Sequence, residues 1–139
     1  MKACKVFPLD TFPICKYVVI VSSYEGKLLL SRHRERSTWE TQGGHIENGE
    51  PPIDAAMREL REESGAEEFT ISPVCDYWAG DEKGSAVGRV YKAVIHSLGP
   101  MPDYEMAEVR VFDTLPEQLT YPWIIQDLIR VAGFQGIVS

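Results

Sequence analysis

The sequence predicts an α+β domain of the α/β/α sandwich type, with a mixed β-sheet between two helices. Three observations predict it. Runs rich in β-branched residues recur between short turns, and two segments, 53–64 and 122–132, carry apolar residues at helical spacing. No repeat, low-complexity tract or Ser/Gly-rich linker interrupts them, so the 139 residues read as a single domain, 1–139.

The elements follow in order. Ile14 to Ser22 reads as a strand; Tyr24-Glu25-Gly26 makes a turn, and Lys27 to Arg32 is its hairpin partner. Trp39 to Glu47 contains Gly43-Gly44 and reads as a short strand or loop, closed by an Asn48-Gly49 turn. Pro51-Pro52 opens a helix from Ile53 to Ser64, because proline is tolerated in a first turn, and Gly65 suits its C-terminal end. Phe69 to Trp78 and Val87 to Ser97 are strands around a turn-rich Gly80–Ser85, and Glu108 to Asp113 is another strand. Pro122 to Ala132 is a closing helix packed on the sheet.

Composition narrows the function. With 44% hydrophobic and 25% charged residues the chain is neither disordered nor fibrous. The longest apolar run, Tyr17 to Val21, is far short of the roughly 20 residues of a membrane span, and MKACKVFPLD lacks the apolar core of a secretory signal. A cytoplasmic protein with no membrane partner is the expectation. A net charge of -7 disfavours a nucleic-acid polymer but not a small phosphate-bearing ligand. Cys4, Cys15 and Cys75 show no CxxC spacing and read as buried or idle thiols.

The chemistry concentrates in GHIENGEPPIDAAMRELREESGA, Gly44 to Ala66. At about 100° per residue, Glu59, Glu62 and Glu63 share an arc of roughly 100° on the helix, beside a core face of Ile53, Ala56, Met57 and Leu60. Like charges at these spacings cost a few tenths of a kcal/mol per pair, so the cluster requires solvent screening or a cation. Hard oxygen donors suit Mg²⁺ or Mn²⁺; a solvated acidic face paired with Arg58 and Arg61 is the alternative. Gly44, then Glu50, then Arg58-Glu59-Leu60-Arg61-Glu62-Glu63-Ser64-Gly65-Ala66 fit the pattern G-x5-E-x7-R-E-U-x-E-E-x-G-U, with only Ala66 smaller than usual.

That segment resembles the Nudix box, and the element order around it resembles the Nudix hydrolase fold. The resemblance implies a metal-dependent hydrolase of a diphosphate linked to some other moiety. It implies that Glu59, Glu62 and Glu63 hold the ion with the carbonyl of Gly43, that Arg58 fixes a box glutamate, and that Glu50 helps to close the loop or reaches metal through water. Gly44 and Gly65 resemble positions where backbone needs room. The Asp103–Glu108 stretch stands where many members carry a general base; Glu105 is the first candidate and Glu108 the second, against an ordinary acidic loop. Family members are commonly dimers, so a homodimer is a further expectation.

Around the box, Arg32, Arg34 and Arg36 alternate along one side of a predicted strand and could reach substrate phosphates, against the commoner outcome of solvated arginines. Trp39 and Trp78 are candidates to stack on a base, with core packing the alternative for each. His33, His45 and His96 are individually uninformative, although His45 lies inside the box. Gln42 stands where a proline is usual. Subfamily signatures for ADP-ribose, dinucleoside-polyphosphate and coenzyme A hydrolases are absent, and Leu115–Leu119 is similar to a segment of small bacterial triphosphate hydrolases. The expected substrate is therefore a nucleoside triphosphate, oxidised or noncanonical ones included, cut to the monophosphate and pyrophosphate. The alternatives are another nucleotide diphosphate, an isopentenyl-diphosphate isomerase-like enzyme, or a ligand-sensing domain without catalysis.

Overall fold

The computed structural model describes residues 2–102 and 106–134. Its strands are β1 (Ala3–Phe7), β2 (Tyr17–Tyr24), β3 (Lys27–His33), β4 (Trp39–Glu40), β5 (Gln42–His45), β6 (Ala66–Asp81), β7 (Gly84–Leu98) and β8 (Met106–Phe112); its helices are α1 (Pro52–Ser64) and α2 (Pro122–Val131). The sheet runs β1-β6-β7-β2-β3-β4, with β5 paired to β2 and β8 to β3. β2 is parallel to β7 while the hairpins β2–β3 and β6–β7 are antiparallel, so the sheet is mixed as expected.

Alternation along the strands sorts the core into two layers. Val18, Ile20, Leu29, Tyr91 and Ala93 pack with Ala55, Ala56 and Leu60 of α1. Val21, Leu28, Leu30 and Val90 pack with Ile125, Leu128 and Ile129 of α2. Each fully buried Leu, Ile or Val stabilises the fold by about 1.5–3 kcal/mol, which makes these two faces the main source of stability. On α1 the core stripe uses Ala55 where Met57 was expected; Met57 is only half-buried. Among the described residues, no helix is long and apolar enough to cross a membrane.

Local chemistry explains the punctuation. Glu25 and Gly26 have φ of 54° and 81°, the left-handed pair that a two-residue type I′ hairpin requires. Gly65 ends α1 at φ 77°, its N–H donating to the Arg61 carbonyl. One element was missed. Ala3–Phe7 forms an edge strand against Asp76–Gly80, although Lys2, Lys5 and Pro8 make this segment a weak strand by itself. Pairing with the long β6–β7 hairpin supplies what local propensity does not. The following loop is tied down by Asp76, which is fully buried: its carboxylate accepts from Arg89 Nε at 2.8 Å and from the Phe12 N–H at 3.0 Å.

The most consequential feature is a fork in the sheet. β2 pairs with β5 over Tyr17–Ile20 and with β3 over Ser22–Tyr24. β5 lies close against its neighbours because it is glycine-rich: a Cβ at Gly43 would stand 2.4 Å from the Val18 carbonyl, and one at Gly44 would stand 2.7 Å from the Glu59 carboxylate. The fork brings the Gly43-Gly44 backbone under α1.

Candidate active site

Glu59 and Glu63, one turn apart on α1, are turned inward and only 9% and 8% exposed. Glu62 behaves differently, with a side chain 43% exposed. On the helical wheel Glu59 and Glu63 fall inside the buried arc that runs from Ala55 to Ser64, whereas Glu62 lies roughly 20° beyond its Ala55 edge. The Glu63 carboxylate accepts the Gly43 N–H at 2.8 Å. Arg58 Nη1 donates to Glu59 at 2.7 Å and lies 3.6 Å from Glu62. Among the described residues no group of three His, Cys, Asp or Glu side chains stands at metal-binding spacing. Glu59 and Glu63 thus form an inward pair with Glu62 at the rim, and Arg58 and the Gly43 N–H each engage a different carboxylate.

Arg58 organises the loop as well as the helix. Its Nε and Nη2 grip the two oxygens of Glu50 at 2.9 Å each, and Nη2 also donates to the His45 carbonyl at 3.2 Å. Glu50 in turn accepts the Glu47 N–H at 3.0 Å. This bidentate grip, with the Glu47 N–H, holds the Glu50 carboxyl down to about 2 from its usual 4.5. A carboxyl depressed in the folded state contributes stability that is present above its unfolded value and lost as pH falls through its folded one. Wild-type stability should therefore decline between about pH 5 and about pH 2 more steeply than that of Glu50→Gln. Urea midpoints measured across that interval check this; identical pH slopes would sink it.

The basic stretch also has a definite place. Arg32, Arg34, Arg36 and Arg110 line an open cleft of about 520 Å³ together with Glu35, Ser37, Trp39 and Glu108. The three arginines expected from the sequence are brought together, and Arg110 of β8 joins them unforeseen. Its signal was the registry of β8 on β3, where Arg32 stands opposite Glu108. Glu108 accepts from Arg110 at 2.8 Å and, at 3.4 Å, from Arg32. Arg110 first, and Arg32 after it, hold the Glu108 carboxyl below the ordinary range, which favours a charge-pairing role over the expected proton-acceptor role. The first candidate for that role, Glu105, lies outside the described residues.

The tryptophans divide. Trp39 is core, 7% exposed, with its ring edge-on to Phe112 at 5.0 Å and the Arg110 guanidinium 5.0 Å from its centre; only its margin reaches the cleft. Trp78 lies elsewhere. It sits on β6 beside Lys5, with β7 between it and β2, away from the arginine cleft. The trunk of a long hairpin carried it there, a placement that residue type cannot reveal. Burial pushes the Cys4 and Cys75 thiols up to about 11 and raises Cys15, the direction that disfavours the reactive thiolate.

Residues 16–120 match the NUDIX domain family. YtkD of Bacillus subtilis (strain 168), named as an 8-oxo-dGTP diphosphatase, is 31% identical, the match covering 82% of this chain and 75% of that protein. The RNA pyrophosphohydrolase of Bartonella henselae is 30% identical over 74% of this chain and 76% of its own. The fold superposes on the Bacillus subtilis pyrophosphohydrolase BsRppH with a TM-score of 0.74 and 27% identity, covering 97% of this chain and 86% of that one. With the box residues gathered where α1 meets β5 and the match spanning most of the sequence, the chain belongs to the Nudix hydrolase family and is a Nudix pyrophosphohydrolase.

Proposed function

We propose that this enzyme hydrolyses nucleoside triphosphates, oxidised or noncanonical ones included, to the monophosphate and pyrophosphate with the help of Mg²⁺ or Mn²⁺. The observation that carries the proposal is the placement of the arginine cleft directly upstream of the glycine loop. Trp39 in the cleft and Gly43 are four residues apart, so at most about 14 Å of extended chain separates them. Polyphosphate charge held by Arg32, Arg34, Arg36 and Arg110 would then lie within reach of α1.

The donors fit a hard divalent cation: the carboxylates of Glu59 and Glu63 are turned to the glycine backbone, Glu62 stands at the rim, and the Gly43 carbonyl completes an all-oxygen set. Such an ion, when bound, polarises phosphoryl oxygens and lowers the pKa of water. The chain's own residues do the rest. Arg58 orients Glu59 and closes the loop through Glu50, and the cleft arginines neutralise and align the phosphates. The proton acceptor is assigned to the 103–108 segment, with Glu105 ahead of the ion-paired Glu108. None of the three cysteines lies on α1 or β5, which weighs against isomerase-like cysteine chemistry.

A second reading is favoured by the RNA pyrophosphohydrolase relative and by a cleft open to solvent: the triphosphate at the 5′ end of an RNA, with the chain trailing outward. A panel of dGTP, 8-oxo-dGTP, ADP-ribose, a dinucleoside tetraphosphate and a 5′-triphosphorylated RNA, each with and without Mg²⁺, separates them. Metal-dependent pyrophosphate release from the free triphosphates supports the proposal. Hydrolysis confined to ADP-ribose or the dinucleotide overturns it, and activity confined to the RNA end replaces it by the second reading.

A further inference from the structure

Gln42, immediately before the glycine pair, is fully buried, as are Ser22 and Ser31. A buried amide is costly unless its donors and acceptor are all used, so the partners matter. They form a directional series. The Ser22 hydroxyl donates to Gln42 Oε1 at 2.6 Å; Gln42 Nε2 donates to Ser31 Oγ at 2.9 Å and toward the Leu29 carbonyl at 3.4 Å; the Ser31 hydroxyl donates to the Glu63 carbonyl at 2.7 Å. A hydroxyl has one hydrogen, and Ser31 spends it on Glu63, so it must receive its own hydrogen bond from Gln42. The opposite amide orientation would set oxygen against the Leu29 carbonyl.

The series sits in the fork of the sheet, where Gln42 on β5 pairs with Ile20 while Ser22 pairs with Leu29 of β3. Its far end satisfies one of the last-turn carbonyls of α1 that lack an intrahelical partner. Glu63 is thereby held twice by consecutive residues of β5: its backbone carbonyl through Ser31 from the Gln42 side chain, and its carboxylate by the Gly43 N–H.

We propose that Gln42 is a positioning residue, which through Ser31 fixes the end of α1 and so sets the Glu63 carboxylate at its place beside Gly43. The role rests on the reading of Glu63 as a metal ligand. Proline, usual at this position, has no side-chain amide with which to do this.

The test is titration of Mn²⁺ alone into the full chain, followed by electron paramagnetic resonance. Gln42→Met, which keeps length and loses the amide, and Ser31→Ala should each weaken Mn²⁺ binding about tenfold, the lower end of what outer partners of metal ligands contribute. Both should lower kcat while leaving the nucleotide KM within about twofold. In a Glu63→Gln background, adding Gln42→Met should change Mn²⁺ affinity by less than about twofold, because the lever then moves nothing. Wild-type affinity in both folded single variants overturns the positioning role, as does a full tenfold loss in the Glu63→Gln background. If Gln42→Met does not fold, Ser31→Ala alone decides. Absence of Mn²⁺ binding in the wild type overturns the ligand reading of Glu63 itself, and the positioning role with it.

Discussion

Glu63→Gln is expected to slow hydrolysis by about a thousandfold while leaving the fold intact. The side chain is 8% exposed and accepts the Gly43 N–H. Glutamine has the same shape and keeps a carbonyl oxygen for that bond, so the geometry of β5 and α1 survives. What disappears is a negative charge among hard oxygen donors, and several kcal/mol of lost charge stabilisation at the phosphorus corresponds to about a thousandfold at 1.36 kcal/mol per tenfold. The melting temperature should hold or rise, because a buried charge beside Glu59 is removed from a site organised for function at some expense to stability. Turnover and thermal melts on the same preparation check both halves. A variant within tenfold of wild-type turnover would remove Glu63 from the chemistry.

Arg58→Ala should damage both stability and activity. The guanidinium is 27% exposed and serves Glu50, Glu59 and the His45 carbonyl at once, with Glu62 at 3.6 Å. Removing it takes the shared cation from Glu50 and Glu59, whose side chains are 16% and 12% exposed. Hydrogen bonds to charged groups contribute about 1.5–3 kcal/mol and breaking a buried pair costs about 3–5 kcal/mol; with partial exposure the expected loss is about 2–3 kcal/mol. Arg58→Lys should recover less than half of it, since an ammonium cannot fork onto both Glu50 oxygens. Urea unfolding of the three proteins at neutral pH decides the matter. Equal midpoints for wild type and Arg58→Ala would show the network to be a surface ornament of little energetic weight.

Much of this protein was legible because its signals are local. The helix over 53–64 announced itself by its proline start, its glycine end and its apolar period, and the structure moves its beginning by one residue. The box residues were legible for the same reason: within one loop and one helix, sequence separation converts directly into direction. Arg32, Arg34 and Arg36 share a cleft for another reason than the expected alternation: β3 ends at His33, and the turn that follows, with the Arg36 N–H donating to the His33 carbonyl, keeps Arg34 and Arg36 beside Arg32. β1 was not legible, since a lysine-bearing segment becomes a strand only by pairing with residues 69 to 77 positions away. The place of Trp78 was not legible either, because nothing in its neighbourhood tells which of two sheet ends it will occupy.

The acidic surplus illustrates the division. The sequence by itself determined that six of the seven net negative charges lie between Gly44 and Glu68, that Glu59, Glu62 and Glu63 share one arc of a helix, and that the chain carries the Nudix pattern. Only the tertiary structure decided which of those carboxylates turn inward, that Arg58 and the Gly43 N–H claim different members, and that Arg110 joins the basic cleft. It also set Gln42 in a buried hydrogen-bond series that ends on the Glu63 carbonyl. The physical reason is range: helical and strand periodicities act over a few residues, whereas the fork of β2 between β5 and β3 is set by packing between segments far apart in the chain, and the chemistry is assembled in that fork.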